Sequence, residues 1–299
     1  MKLALDPIPY YWPRDAVLAY YRAVALSPVD IVYLGETVCS RRHELRLPDW
    51  LDLAHTLSSA GKEVVLSTQP LIESESDLKT LRRIAGNGRF RVEANDMGAV
   101  RLLEGKAAFV AGSHLNVYNP QTLAFLASLG AQRWVAPVEM PGSMLSEMLR
   151  LSPQGMETEV HAYGRLPLAL SARCFTARRF NLQKDDCQFR CIEHPEGLPL
   201  RTRDGQSFLV LNGVQTLSAR YCNLVGELPD LERLGVGIAR ISPPPAHVAE
   251  IAELFRRALH DPGGTAVVAA RLEALAPEGT CNGYWNDVAG IERVFARTP

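Results

Sequence analysis

"AAFVAGSHLNVYNPQTLAFLASLGAQRWVAPV", residues 107–138, holds one whole folding unit. The apolar run AAFVAG (107–112) has the length and residue types of a buried strand, and RWVAPV (133–138) is a second such run. Between them lies amphipathic NPQTLAFLASLG (119–130), opened by Asn119 and Pro120 and closed by Gly130, the start and stop signals of a helix. Strand, helix, strand in this order predicts two parallel strands joined by a crossover helix.

The same alternation runs outward in both directions. KLALD (2–6), DIVYLG (30–35), EVVLST (63–68), RFRVEA (89–94), TEVHAYG (158–164) and GIARIS (237–242) bring the strand-like runs to eight. A second clear helix, PDWLDLAHTLSSAG, is opened by Pro48 and closed by Gly61. Eight such units predict an α/β fold, a closed (β/α)8 barrel of the TIM type, with an open doubly wound sheet as the alternative. A nucleotide-binding open sheet would carry GxGxxG, or GxxxxGK followed by Ser or Thr. Neither occurs, and GVG at 235–237 has no helix start behind it.

The regularity breaks once, between the seventh and eighth runs, where about 70 residues replace the usual helix and short loops. The chain is thus expected to be a single barrel domain, 1–299, carrying an insertion at 171–234. Within the insertion, RDGQ (203–206) and LNGV (211–214) place Asp-Gly and Asn-Gly turns between apolar segments, which predicts a small three-stranded meander.

Bulk composition narrows the function. With 47% hydrophobic and 22% charged residues the chain is that of an ordinary globular protein. A net charge of −1 without a Lys/Arg block removes the electrostatic footprint of a nucleic-acid binder. The opening MKLALDPIPYYWPRD has too short an apolar run for a signal peptide, and no later stretch reaches membrane-spanning length, so a cytoplasmic protein that does not span a membrane is expected.

Three of the six cysteines fall in RCFTARRFNLQKDDCQFRC (173–191). Clustered cysteines in a reducing compartment bind metal or do redox chemistry more often than they form disulfides. Cys174, Cys187 and Cys191 follow the seventh strand and Cys39 follows the second, so all four belong to the barrel face where strand C-termini gather. Zinc usually takes two close pairs, whereas this chain offers one close pair and two singletons. An iron–sulfur cluster tolerates such spacing. Arg41, Arg42, Arg173, Arg178, Arg179, Lys184 and Arg190 lie close by in sequence and could offset a cluster's negative charge, or could be ordinary solvated charges. Cys222 and Cys281 read as buried small residues.

Other candidate chemistry is thinner. His114 and Asn116 follow the fifth strand, Glu139 follows the sixth, and Glu159 and His161 lie on the seventh, all placed where a substrate could be met. HELRL (43–47) has no second histidine for a zinc site, and no GxSxG occurs.

EVHAYGRLPLALSARC (159–174) resembles the signature of the collagenase-like peptidase family, with Pro167 standing where the wider family tends to carry a further cysteine. YLGETVCSRRHE (33–44), SARCFTARRFNLQKDDCQFRC (171–191) and CNGYW (281–285) resemble more narrowly its ubiquinone-biosynthesis branch. That resemblance implies a 4Fe-4S cluster on the positions matching Cys39, Cys174, Cys187 and Cys191. It implies a heterodimer with UbiU, the lipid carrier UbiT, and oxygen-independent ring hydroxylation of a ubiquinone precursor, with prephenate as candidate oxygen donor. A non-catalytic structural partner with a cluster or zinc, and a peptidase, are the alternatives.

Overall fold

The computed structural model describes residues 1–295. Strands β1 (Lys2–Leu5), β2 (Ile31–Leu34), β3 (Glu63–Ser67), β4 (Arg91–Ala94), β5 (Phe109–Ala111), β6 (Ala131–Val135) and β7 (Glu157–Gly164) pair in sequence order, all parallel. An excursion follows through β8 (Pro167–Leu170), β9 (Leu198–Arg201), β10 (Ser207–Asn212), β11 (Gln215–Ser218) and β12 (Tyr221–Asn223), and the chain returns as β13 (Ile238–Ile241). β13 is parallel to both β1 and β7, with Lys2 opposite Ile238 and Arg240 opposite His161. The sheet therefore closes into the expected (β/α)8 barrel.

The apolar runs form strands because each side of the pleat has its own apolar environment. Ala4, Ile31, Tyr33, Val65, Val110, Val135 and Ile238 pack together inside the barrel. Their neighbours Leu3, Leu5, Val32, Leu34, Val64 and Leu66 join the larger core beneath the helices. Helices occupy Leu47–Ser59 and Pro120–Ser128, and the Asn119 side chain caps the second by accepting from Thr122 N at 2.8 Å. No helix among the described residues is long and apolar enough to cross a membrane.

The excursion builds a separate antiparallel sheet in the order β8-β11-β10-β9. It has four strands where the sequence suggested three, because Pro167–Leu170, ahead of the expected boundary at 171, pairs with β11. Pro167 is tolerated as the first residue of an edge strand. A two-residue hairpin forms one residue later than the Asn-Gly signal suggested: Asn212 ends the strand and pairs with Gln215, and the loop is Gly213 and Val214, with Gly213 at φ +65°. The Asp-Gly signal falls instead in a longer loop, 202–206, between Arg201 and Ser207.

Two hydrogen bonds lash the excursion to the N-terminal segment above the barrel mouth. Asn212 Nδ2 donates to Pro9 O at 2.7 Å, and Trp12 Nε1 donates to Pro195 O at 2.7 Å. The chain leaves β7 at Gly164, whose φ is +106° and where a Cβ would stand 2.8 Å from Ser242 O. Only glycine fits that exit.

Candidate functional site

The barrel strands converge on one guanidinium. Arg240, on β13, is 1% exposed and has Glu93 Oε1 at 2.8 Å, Glu159 Oε1 at 3.5 Å and the Asp6 carboxylate in direct contact. Glu93 is further held by Ser67 Oγ at 2.6 Å and Asn95 Nδ2 at 3.1 Å. These donors and Arg240 keep its pKa below the ordinary carboxylate value in spite of burial. Three carboxylates around one cation leave an excess of negative charge, and Asp6 relieves it. Burial pushes its pKa up to about 7 against the pull of Arg240, with Glu93 and Glu159 adding to the rise. Burial raises Glu159 as well.

His161 Nδ1 stands 3.3 Å from Asp6 Oδ2, yet the contact lacks hydrogen-bond geometry. Burial, together with Arg240 and His114, pushes the His161 pKa well below its usual value, so the imidazole is neutral. Asp6, Glu93, His114, His161, Arg165 and Arg240 line a mouth pocket of about 460 Å³, counting the part open to solvent, which Pro167 and Leu217 of the excursion sheet roof over. A carboxyl titrating near neutrality beside a neutral imidazole is an arrangement suited to exchanging protons with a bound molecule.

Of the five polar residues singled out from sequence, His114 and His161 reach this pocket. Glu159 lies one layer deeper, accepting from Tyr33 OH at 2.6 Å. Asn116 is exposed at the end of a short 3-10 turn, and exposed Glu139 accepts from Tyr118 OH at 3.1 Å. Neither lines the mouth pocket. Asp6, Glu93, Arg165 and Arg240 were missed. For two of them a signal existed: LALD6 and IAR240I each set one charge among apolar strand residues, and period two puts Asp6 and Arg240 on the inward face with Ala4 and Ile238.

The four cysteines line a second, small pocket at the junction of the β2 loop and the excursion. Each is positioned by its own local device. The Glu36 carboxylate accepts from Val38 N at 2.9 Å and Cys39 N at 3.0 Å, curling the loop that carries Cys39. Cys174 caps the short helix Phe175–Arg179, its Sγ 3.4 Å from Ala177 N. Between Cys187 and Cys191 two consecutive non-glycine residues, Gln188 (φ +51°) and Phe189 (φ +52°), adopt the left-handed conformation that turns the chain back. Cys222 and Cys281 are buried elsewhere, opposite each other on β12 and the strand Thr280–Cys281.

Arg41, Arg42, Lys184 and Arg190 line the thiol pocket. Arg173, Arg178 and Arg179 are exposed and do not: Arg173 precedes the short helix, which turns Thr176 and Ala177 inward and Arg178 and Arg179 out. Arg42 is 4% exposed, donating to Pro9 O at 2.7 Å and to Asn212 Oδ1 at 2.8 Å, with Glu36 at 3.7 Å. Burial pushes the Cys39 thiol up to about 11 and raises Cys191, while Arg42 pulls both down. A metal-bearing group entering here would displace thiol protons.

No three His, Cys, Asp or Glu side chains among the described residues are gathered as a single metal ion needs. Zinc draws its sulfurs to about 2.3 Å.

The fold and its two pockets define an α/β-barrel protein with a roofed mouth and a separate four-thiol pocket. A sequence profile described as peptidase family U32 matches residues 18–292, and the chain belongs to that family. Among solved structures, a U32 peptidase is similar at 14% identity and a TM-score of 0.46, over 82% of this chain and 93% of that one. A Bacillus cereus protein is similar at 14% identity and a TM-score of 0.36, over 84% of this chain and 62% of that one. At that distance neither likeness speaks to activity.

Proposed function

We propose that the chain is a UbiV-like iron–sulfur subunit of an oxygen-independent ring hydroxylase in anaerobic ubiquinone biosynthesis, working as a heterodimer with UbiU and with the lipid carrier UbiT. The observation that carries the reading is the convergence of Cys39, Cys174, Cys187 and Cys191, from two distant parts of the chain, on one pocket. The four basic side chains on its walls are each paired with a carboxylate, Arg41 with Asp185, Arg42 with Glu36, Lys184 with Glu73 and Arg190 with Glu193, so they offer a cluster N–H donors rather than spare positive charge. Ligation by four cysteines points to electron transfer as the chemistry such a cluster would supply.

The test is metal and sulfide content with the visible spectrum of protein purified without oxygen. About four irons and four sulfides per chain, with absorption bleached by dithionite, are expected. They should be lost on replacing any one of the four cysteines by Ala. One zinc and no iron would overturn the reading.

A second reading has its own observation. The thiol pocket is walled partly by the β2 loop and partly by the excursion, so a group bound there would also fasten the roof to the barrel. A cluster that forms but cannot be reduced would favour that structural role. Cleavage of casein by the purified chain would favour a peptidase instead.

A further inference from the structure

Arg165 is, among the described residues, a buried charge without a carboxylate partner. It leaves β7 immediately after Gly164, is 6% exposed, and lines the mouth pocket. Its Nη1 donates to the backbone carbonyls of Ser218, at 2.9 Å, and Ala219. Its Nε has no acceptor. No carboxylate among the described residues lies within 4 Å of its guanidinium. The nearby aromatic groups do not neutralise it: Tyr221 lies under the guanidinium at 4.9 Å, and burial holds the hydroxyls of Tyr221 and Tyr10 protonated. Glu196, the carboxylate those phenols feel, is exposed.

A buried cation without a counter-ion is costly unless a partner arrives. The other buried cation of this pocket, Arg240, already has three carboxylates, so its charge is spent within the protein. The charge available to a ligand is therefore that of Arg165. Glu93, the carboxylate that keeps its charge, shares the pocket wall and would oppose a multiply charged anion. The hydroxyls of Tyr10 and Tyr221 also lie against the guanidinium, but both are neutral, and a planar carboxylate with a single charge is the group that matches a guanidinium with no carboxylate of its own.

We infer that the barrel mouth is a binding site for a small organic monocarboxylate, with Arg165 as its counter-ion. The site goes beyond the proposed function, since it is built from barrel-mouth residues that do not include the four thiols. Its test needs neither cluster nor partner chain.

The experiment is titration calorimetry of the full chain with pyruvate, with benzoate and with inorganic phosphate. At least one carboxylate is expected to bind with a Kd at or below about 1 mM, and phosphate at least tenfold more weakly. Arg165→Gln should weaken carboxylate binding at least tenfold, and Arg165→Lys, which keeps the charge but not the fork, by less. Because Arg165 also ties down Ser218 and Ala219, Thr37→Glu provides a second variant: it adds a negative charge to the half-buried pocket wall without touching that anchor. It too should weaken binding at least tenfold. No carboxylate binding up to about 10 mM, phosphate binding as tight as carboxylate, or unchanged affinity in folded Arg165→Gln or Thr37→Glu protein would overturn the inference.

Discussion

The guanidinium carbon of Arg240 lies 3.8 Å from the ring centroid of Tyr33, whose hydroxyl in turn donates to Glu159. The ring of Tyr33 joins the apolar layer inside the barrel, and its edge belongs to the polar layer above it. One tyrosine thus supports the arginine both through its π face and through a carboxylate they share.

Removing Arg240 should be among the most damaging single changes. Arg240→Ala leaves Asp6, Glu93 and Glu159 facing one another without their shared cation. The expected loss, read from urea unfolding, is about 3–5 kcal/mol. A loss under about 1 kcal/mol would mean the carboxylates are neutralised by protons alone.

Asp6 gives the fold a pH dependence of definite sign. Its carboxyl ordinarily titrates at 3.8 and in the fold at about 7. Between those values the folded chain keeps a proton the unfolded chain has released, so stability falls as pH rises. The contribution is complete below about pH 4 and gone above about pH 7. Glu93, with its lowered pKa, adds the opposite trend on the acid side. Subtracting the profile of Asp6→Asn from that of the parent isolates the Asp6 slope, which should be negative throughout this window.

The left-handed pair in CQFRC can be probed at its exposed member. Gln188→Gly should raise stability by roughly 0.5 kcal/mol, the relief of a positive φ being partly offset by unfolded-chain entropy. Gln188→Val should lower it by roughly 1 kcal/mol, since a branched side chain tolerates that conformation poorly. Equal midpoints for the two variants would show that the segment relaxes to another conformation.

Trp12→Phe keeps the ring packing on Tyr10 and Tyr20 but removes the bond to Pro195 O. The expected cost is about 1 kcal/mol, accompanied by faster hydrogen exchange at Ile192, His194 and Gly197 and unchanged exchange at the barrel strands. Uniformly faster exchange would place Trp12 in the global core instead.

The barrel was legible because strand signals are local. AAFVAG and RWVAPV announce themselves by composition, and Asn119 caps the helix between them with no help from distant residues. Cys39, Cys174, Cys187 and Cys191 were also within reach, since each follows a strand whose end faces the mouth. The mouth cluster was not. Arg240 owes its importance to Asp6, Glu93 and Glu159, which come from three other strands and have no mark in sequence of pointing at the same spot. The fate of Arg178 and Arg179 was hidden for a related reason: nearness to a cysteine along the chain does not say which way a helix turns its side chains. Pro167 looked like a simple substitution in a motif and proved to open a strand.

The positions of the four thiols also set an order of assembly. Cys39 stands after β2 and its three companions after β7, with five barrel strands between them. No emerging chain can enclose anything between those cysteines until all five have been made and closed against one another. A group held by all four thiols could therefore be completed only in a nearly finished protein.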